Sequence, residues 1–508
     1  MWRYADIRTV PDIVRHWSAV APQRVALVEG PRQTTYRELD DRSSQLAQAL
    51  LAAGAAPGSH IGYLGKNSAS FFEVWMGAGK AGTAIAPFNW RSSPAELVEL
   101  IDDAQPPVVF VSDELKERLT EVSARVRSSF LIVSDLDLWL APHPADDPRV
   151  PLTGAETALL TYTSGTTGRP KGVQLSHDAF NHSFLCSALE PCLGMDSDDL
   201  LLMAMPNFHL TGSWVSLPAL YHGARISILP FFEPASTLLA LATERATAIC
   251  LVPAAMQAIM DHPDAAAADF SALRRILYAG SPISSETLRR ALGLFGCGFV
   301  QFYGATEMWI MSLLRPQQHD LASPEHLSSC GTPVHFVEMR VVDTSFKDVP
   351  DGVVGEFLVR SPVTFSGYWN QPSATAAALH DGWYRTGDLG RRDADGYYYI
   401  VDRTKDMIIT GGENVYSVEV ERALAAHPEV AAVAVVGAPD VQWGEAVTAF
   451  VVLAPGSSLT ESDLKDHCRG LIAGYKVPKR VHIEPGLPQT ASGKIQKAEL
   501  RRRLAAPS

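Results

Sequence analysis

The sequence predicts an α/β protein with mixed α/β layers, a β-rich subdomain and a small C-terminal α+β domain. Short apolar strands alternate with amphipathic helical patterns from residue 12 to residue 280, which is typical of parallel strand–helix units. From Val334 the strands become shorter and are separated by turns, and the end of the chain has a strand–helix pattern of its own. A chain of 508 residues is also too long for a single compact core.

In the first two thirds of the chain, apolar residues three and four positions apart predict helices, and short apolar runs predict strands. The predicted helices cover 13–17 and 36–50 and begin again at Asp178 and Ala235. The predicted strands are 25–28, 60–64, 107–111, 158–162, 225–229, 249–252 and 276–279. Residues 136–153, which are rich in Asp and Pro, predict a linker.

The remainder of the chain predicts two smaller parts. The β-rich subdomain has predicted strands at 339–342, 355–360 and 397–401. The C-terminal domain has predicted helices at 417–426 and 461–473 and predicted strands at 430–436 and 448–453. We therefore expect an N-terminal domain over 1–404 and a C-terminal domain over 405–508.

The composition narrows the class of protein. Apolar residues make up 46% and charged residues 19% of the chain, as in a globular enzyme, and the net charge of −13 argues against nucleic acid as a partner. The six cysteines show no CxxC pair, which favours a reduced, cytoplasmic setting. We expect no signal peptide and no transmembrane segment. The sequence leaves open whether the chain forms a homodimer.

One segment carries the most specific chemical signal. Residues 161–172 read Thr-Tyr-Thr-Ser-Gly-Thr-Thr-Gly-Arg-Pro-Lys-Gly and follow an apolar strand. Small and hydroxylated residues let the backbone approach an anion, so N–H groups, hydroxyls and the side chain of Lys171 can surround a polyphosphate. The segment is not a Walker A loop, because the GxxxxGK[ST] pattern is absent.

This segment resembles the phosphate loop of the adenylate-forming (ANL) superfamily, which includes acyl-CoA synthetases, adenylation domains and luciferases. Further matches follow in the expected order over nearly the whole chain, and chance agreement of six ordered motifs is negligible. These matches are Gln301–Glu307, Tyr384–Asp388, Asp402–Asp406, Gly411–Asn414 and Ser492–Lys494. The resemblance is to acyl-CoA synthetases that ligate fatty or aryl acids to CoA, and it implies a mobile C-terminal domain.

The resemblance implies a site for ATP and Mg²⁺. Glu307 and Thr166 would hold the metal, Lys494 would bridge the substrate carboxylate and the α-phosphate, and His209 would gate the acid site, so these four are the predicted catalytic residues. Asp388 suits the ribose hydroxyls, because a carboxylate can accept hydrogen bonds from both. The other predicted nucleotide contacts are Thr163, Ser164, Gly165, Thr167, Gly168, Lys171, Gly280, Ser281, Pro282, Gln301, Phe302, Tyr303, Gly304, Thr306 and Arg403.

The resemblance also implies a second step with coenzyme A. Lys405 matches the hinge about which the C-terminal domain of the family turns, and the loop of Gly411, Gly412, Glu413 and Asn414 would approach the pantetheine arm. Trp443-Gly444-Glu445 matches a family element whose role the sequence does not give. These features favour CoA as the acceptor of the acyl group.

The acid pocket is predicted around a Pro-Asn-Phe-His segment at 206–209, in which Asn207 departs from the apolar residue common in the family. The predicted walls are Phe208, His209, Trp214, Ala279, Met308 and Trp309. Two inward-facing tryptophans would fill a long tunnel, so a medium-chain, aryl or ring-bearing acid is expected.

Three alternatives stay open at this point. An amide synthetase or stand-alone adenylation enzyme would use an amine or a carrier-protein thiol in place of CoA. A luciferase-type oxidation would need a luciferin pocket that nothing in the sequence announces. A nucleotide-binding sensor without catalysis is disfavoured, because Glu307, Asp388, Lys405 and Lys494 are all retained.

Overall fold

The computed structural model describes residues 4–163, 170–281, 283–322, 324–411, 413–440, 442–489 and 495–505. By internal contacts the chain forms two compact units. Unit 1 contains residues 1–338 and 360–384, and unit 2 contains residues 339–359 and 385–508. No helix in the described part of the chain is both long and apolar enough to cross a membrane.

The helices begin where capping side chains satisfy free backbone N–H groups. Thr35 and Glu38 form a capping box at the start of α2, and Ser93 and Glu96 form another at α4. The helices are α1 (Asp12–Val20), α2 (Tyr36–Ala52), α3 (Ala69–Lys80), α4 (Pro94–Ala104), α5 (Lys116–Ser123), α6 (Leu136–Leu140), α7 (His177–Leu189), α8 (Ser213–Tyr221), α9 (Pro234–Thr243), α10 (Pro253–Met260), α11 (Ser285–Phe295), α12 (Pro372–Ala378), α13 (Ser417–Ala425), α14 (Glu461–Arg469) and α15 (Lys497–Ala505).

The largest sheet of unit 1 has nine strands. They are β1 (Val25–Glu29), β2 (Arg32–Thr35), β9 (Leu200–Met203), β10 (Arg225–Ile228), β11 (Ala248–Leu251), β12 (Arg275–Tyr278), β13 (Gly298–Ala305), β14 (Trp309–Leu314) and β15 (Thr332–Pro333), in the order β15-β14-β13-β12-β11-β9-β10-β1-β2. The six strands from β13 to β1 pair in parallel, while the edge strands are antiparallel. Parallel strands need helical crossovers, which explains the strand–helix alternation of the sequence.

The second sheet of unit 1 has seven strands and carries the phosphate-loop segment. Its strands are β3 (His60–Leu64), β4 (Ala84–Phe88), β5 (Val108–Val111), β6 (Leu131–Val133), β7 (Thr157–Thr163), β8 (Lys171–Ser176) and β18 (Gly367–Tyr368), in the order β18-β8-β7-β4-β3-β5-β6. Strands β7, β4, β3, β5 and β6 pair in parallel. Strands β8 and β18 join as an antiparallel edge.

Two smaller sheets are antiparallel in the main. One contains β16 (Glu338–Val342), β17 (Gly355–Arg360), β19 (Leu379–His380), β20 (Trp383–Arg392) and β21 (Tyr398–Arg403). The other, in unit 2, contains β22 (Ile408–Thr410), β23 (Glu413–Val415), β24 (Val430–Asp440), β25 (Gly444–Leu453) and β26 (Arg480–Ile483). Helices α13 and α14 cover this last sheet around a core that includes Val420, Leu424 and Leu464, which are all fully buried.

The mixed α/β class and most predicted elements are confirmed, with two local differences. The predicted linker at 136–153 begins with the short helix α6, which Asp135 caps by accepting a hydrogen bond from the N–H of Leu138 at 2.9 Å. The helix predicted over 461–473 ends at Arg469, because Gly470 follows and glycine is costly inside a helix.

Candidate active site

The phosphate-loop segment is held between two paired strands of unit 1. Thr163 at the end of β7 lies opposite Lys171 at the start of β8, and Tyr162 lies opposite Gly172. This antiparallel pairing brings together the predicted contacts Thr163 and Lys171, which flank the loop on its two sides. The predicted contacts Ser164, Gly165, Thr166, Thr167 and Gly168 lie outside the described residues, as does Pro282.

The segment Gln301–Glu307 lies at the end of β13 and in the turn that leads to β14. Gly304 is required there, because a Cβ atom at this position would lie 1.8 Å from the carbonyl oxygen of Trp309. Tyr303 is 8% exposed, and Gln301 has a buried side-chain oxygen to which no described residue donates a hydrogen bond. The turn places the Glu307 carboxylate just beyond the sheet, where it is 8% exposed.

Glu307 is held by a residue that the sequence did not single out. The hydroxyl of Tyr368 donates a hydrogen bond to Oε1 of Glu307 at 2.7 Å. The ammonium nitrogen of Lys171 lies 4.6 Å from the centroid of the same tyrosine ring. Tyr368 belongs to the two-residue strand β18, which is too short to leave a periodic pattern in the sequence.

The predicted acid pocket contains a stacked pair of tryptophans. The rings of Trp214 and Trp309 lie 5.7 Å apart with an interplanar angle of 22°. Trp214 is fully buried, and its indole N–H donates to Oγ of Ser183 at 2.9 Å. Trp309 is 6% exposed and has a left-handed backbone φ of 58°, and its indole nitrogen has no hydrogen-bond partner in the described part of the chain.

The segment around His209 is fastened to a neighbouring turn of unit 1. Asn207 is fully buried, and its side-chain amide donates to the backbone carbonyls of Gly65 and Lys66 at 3.3 and 3.0 Å. The rings of Phe208 and His209 lie 4.7 Å apart. Asn207 therefore departs from the family pattern for a structural reason, since an apolar side chain could not bind these carbonyls. Of the other predicted walls, Met308 and Ala279 are buried.

Asp388 and Arg403 face each other in unit 2. They are direct partners across β20 and β21, and Nε of Arg403 lies 3.0 Å from Oδ1 of Asp388. Gly387 has a φ of 70°, which allows the turn before Asp388 and lets its carbonyl accept a hydrogen bond from the N–H of Thr404 at 2.8 Å. The predicted hinge residue Lys405 is exposed and follows this pair in the sequence.

The predicted CoA loop is the hairpin between β22 and β23. Gly411 has a φ of 60°, and its N–H donates to the carbonyl of Trp443 at 2.8 Å, while Gly412 lies outside the described residues. Glu413 and Asn414 are exposed, and the Trp443 ring, 39% exposed, lies 5.0 Å from the ammonium nitrogen of Lys479. The hairpin thus lies against a partly exposed aromatic residue with a cation over its ring.

Lys494 lies outside the described residues, but both ends of its segment are fixed in unit 2. Gln489 and Ile495 form a β-bridge, and the N–H of Gln496 donates to the carbonyl of Pro488 at 2.8 Å. The ammonium group of Lys497 lies 2.7 Å from Oε1 of Glu421 and donates to Oγ of Ser417, also at 2.7 Å.

Comparison with known proteins identifies the family. The model of the AMP-binding enzymes matches residues 14–369, and the model of the AMP-binding enzyme C-terminal domain matches residues 419–494. The chain therefore belongs to the AMP-binding, adenylate-forming enzymes. Within them it is an acid–thiol ligase of the AMP-forming acyl-CoA synthetase family, whose substrates are a carboxylic acid, ATP and CoA.

Three curated relatives span almost the whole chain. Feruloyl-CoA synthase of an Amycolatopsis species is 39% identical over 96% of this chain and 97% of its own. Fatty acid–[acyl-carrier-protein] ligase ScoC of Streptomyces coeruleorubidus is 36% identical over 94% and 93%. Indoleacetate–CoA ligase of Aromatoleum aromaticum is 36% identical over 97% of both chains.

Solved structures share the architecture. ATP-bound MatB from Rhodopseudomonas palustris superposes with a TM-score of 0.89 at 28% identity, covering 97% of this chain and 99% of its own. The amide bond synthetase McbA from Marinactinospora thermotolerans superposes with a TM-score of 0.87 at 30% identity, also covering 97% and 99%. The fold accordingly serves more than one acceptor of the acyl group.

Proposed function

We propose that the chain activates a ring-bearing, most specifically an aryl, carboxylic acid and transfers its acyl group to the thiol of CoA. In the first step the acid and ATP give an acyl adenylate and pyrophosphate. In the second step the acyl adenylate and CoA give the thioester and AMP. The observation that carries the choice of acid is the stacked pair of Trp214 and Trp309.

The tryptophan pair favours a flat substrate with a polar substituent. Aromatic rings gain most from stacked or edge-on contact with another ring, so two nearly parallel indoles suit an aromatic acid better than a flexible chain. The indole N–H of Trp309 is buried and has no hydrogen-bond partner among the described residues, and an unsatisfied group of this kind costs about 1–3 kcal/mol. An acid that carries a hydroxyl, ether or carbonyl oxygen on its ring would supply the missing acceptor.

The relatives support the same class of acid. Feruloyl-CoA synthase and indoleacetate–CoA ligase are named for ring-bearing acids. The carrier-protein ligase is named for fatty acids, and it is nearly as similar to this chain. The choice between these classes therefore rests on the indole pair rather than on the level of identity.

The first step requires cations between two anions. A carboxylate and a phosphate oxygen repel each other by about 4 kcal/mol at about 4 Å when the effective dielectric constant is near 20. Lys171 and Lys494 would lower this repulsion, and Glu307 with Thr166 would hold Mg²⁺ against the phosphates. Mg²⁺ usually takes one or two carboxylates and completes its shell with water and phosphate, so a single glutamate suffices. The described residues include no group of three or more His, Cys, Asp or Glu side chains that could hold a metal ion.

The second step is supported by the hairpin of unit 2. The exposed face of Trp443 and the ammonium group of Lys479 offer a stacking surface and a cation, which suit a nucleotide carrying phosphates. A simple amine carries neither a base that could stack on the indole ring nor a phosphate that could bind the ammonium group. CoA is therefore the acceptor we propose, with a carrier-protein thiol or an amine, as in the amide synthetase McbA, as the alternative.

An acid panel tests the proposal. ATP is supplied with ferulate, indole-3-acetate, benzoate, octanoate or palmitate, each with CoA or with an amine, and AMP release and product mass are measured. We expect the thioester of an oxygen-substituted aryl acid to form with the highest kcat/KM. Preference for palmitate, or formation of amides only, would overturn the proposal.

A pair of variants tests whether Trp309 determines the preference for an oxygen-substituted aryl acid. Trp309→Phe keeps an aromatic ring and removes the N–H, so kcat/KM for the oxygen-substituted aryl acid should fall about tenfold while that for octanoate stays within about twofold. Trp139→Phe, on helix α6, is the control and should change neither. Equal losses for both acids in Trp309→Phe would show that the indole acts only through packing.

A further inference from the structure

We infer that Tyr368 is a positioning residue for the adenylation step, because one side chain fixes the carboxylate of Glu307 through its hydroxyl and the ammonium group of Lys171 through its ring. The inference rests on the roles proposed above for Glu307 and Lys171. It concerns a residue that belongs to none of the six motifs.

The backbone places Tyr368 between two motifs of unit 1. Strand β18 pairs with β8, the strand that leaves the phosphate loop, so that Tyr368 lies opposite Val173. On one side the N–H of Trp369 donates to the carbonyl of Gly172 at 2.7 Å. On the other side the N–H of Phe365 donates to the carbonyl of Glu307 at 2.8 Å. A segment of five residues therefore ties the phosphate-loop strand to the turn that carries Glu307.

The hydroxyl of Tyr368 fixes the direction of the Glu307 carboxylate. It donates to Oε1 at 2.7 Å, which leaves Oε2 for another partner. Burial, and then the charge of Glu307, raise the pKa of Tyr368 well above its ordinary value. Because the donor is a neutral hydroxyl, this hydrogen bond brings no positive charge to the carboxylate.

Tyr384 extends this contact into a chain of two tyrosines. The side chain of Tyr384 hydrogen-bonds to that of Tyr368, and both residues pack against Phe365, with ring centroids 5.8 and 4.8 Å away. Tyr384 is the first residue of the Tyr384–Asp388 motif and had no assigned role. The hydrogen bond to Tyr368 gives Tyr384 a function within unit 1, which is to orient the Tyr368 hydroxyl.

The ring of Tyr368 acts on a second group. The ammonium nitrogen of Lys171 lies 4.6 Å from the ring centroid, within the range of a cation–π contact. Lysine has a flexible side chain, so an aromatic face limits where its charge can lie. Tyr368 thus sets the separation of one negative and one positive group that would meet the same polyphosphate.

The test uses Tyr368→Phe, which keeps the ring and removes the hydroxyl. ATP binding is measured by isothermal titration calorimetry with and without Mg²⁺, in the absence of any acid, and acid-dependent pyrophosphate exchange is measured separately. We expect the gain in ATP affinity due to Mg²⁺ to fall about tenfold, while affinity without Mg²⁺ stays within about twofold. Tyr384→Phe should change the same quantity in the same direction by about threefold.

The matched control is Tyr399→Phe in unit 2. The hydroxyl of Tyr399 donates to Oδ2 of Asp393 at 2.9 Å, and Arg391 lies 4.2 Å from its ring centroid, so the chemistry lost is the same. This variant should leave the effect of Mg²⁺ unchanged. An equal change in both variants would mean that loss of any such hydroxyl acts through general destabilisation, and would overturn the inference.

A double-mutant cycle separates the inference from the proposed function. In a Glu307→Gln background, Tyr368→Phe should cause no further loss of the magnesium effect, and additive losses would overturn the inference. If Glu307→Gln alone leaves the magnesium effect intact, the role proposed for Glu307 fails and the inference fails with it. If Glu307→Gln removes the effect and Tyr368→Phe does not, only the inference fails.

Discussion

Glu307 in unit 1 and Asp388 in unit 2 are carboxylates of similar exposure, 8% and 7%, held in different ways. Glu307 receives a hydrogen bond from the neutral hydroxyl of Tyr368, whereas Asp388 is paired with the guanidinium group of Arg403. The hydroxyl brings no positive charge to Glu307, whereas the guanidinium group sets a positive charge directly beside Asp388. A carboxylate whose hydrogen-bond donor is a neutral hydroxyl suits a cation, while one already paired with a guanidinium group suits the hydroxyl groups of a sugar. This difference supports the ligands proposed for the two carboxylates.

The largest expected effect is that of Glu307→Gln. The amide keeps the size of the side chain and removes the negative charge, so kcat/KM for ATP in pyrophosphate exchange should fall by about a hundredfold or more. Excess Mg²⁺ should recover only part of the loss. Exchange at the rate of the unchanged enzyme would contradict the cation-binding role and remove the contrast with Asp388.

A smaller effect is expected from Asp388→Asn. The amide keeps one acceptor oxygen, so kcat should stay within about twofold and KM for ATP should rise by about tenfold. The informative measurement is the ratio of kcat/KM for ATP to that for 3′-deoxy-ATP. This ratio should shrink in the variant, because the group that recognises the hydroxyl is weakened. An unchanged ratio would show that Asp388 does not contact that hydroxyl.

A separate effect, on stability rather than on catalysis, concerns His177, a buried titratable side chain that is hydrogen-bonded to a backbone N–H group. His177 is 1% exposed, its Nδ1 accepts a hydrogen bond from the N–H of Val10 at 3.2 Å, and burial lowers its pKa to about 4. The folded state thus favours the neutral ring. The neutral His177 ring therefore contributes fully to the free energy of unfolding above its ordinary pKa of 6.5. This contribution is lost as the pH falls through about 4, because the unfolded chain gains a proton that the buried ring does not take up.

The loss should reach about 3 kcal/mol in the free energy of unfolding. It is measured as the difference between the unchanged protein and His177→Gln in urea denaturation, followed by tryptophan fluorescence between pH 7 and about pH 4. The two curves should converge as the pH falls. Parallel curves over this range would show that the His177 ring does not titrate with folding.

The sequence predicted the elements of the large domain well, because each depends on a local pattern. The strand at His60–Leu64 and the helix from Tyr36 were predicted from apolar spacing, and both are confirmed. The family and the class of reaction were predicted from ordered motifs, and the comparisons confirm them. The roles of single residues, the acid and the position of the hinge stay predictions.

Contacts between distant segments were beyond prediction. Tyr368 is 61 residues from Glu307 along the chain, and its strand has only two residues, so neither spacing nor periodicity announced it. Asn207 looked like a departure from the family pattern until its carbonyl partners 141 and 142 residues away were known. The left-handed backbone of Trp309 is likewise set by the turn and the bulge between β13 and β14 rather than by the residue itself.

The sequence by itself determined the α/β class, the family and the kind of reaction, because strand and helix periodicity and the order of motifs are properties of the chain alone. Only the tertiary structure decided how each carboxylate is held. It gave Glu307 the neutral hydroxyl of a tyrosine as its hydrogen-bond donor, and it gave Asp388 the guanidinium group of an arginine. The physical reason is that a side chain's charge environment depends on which distant strand packs beside it, and local sequence does not encode that choice.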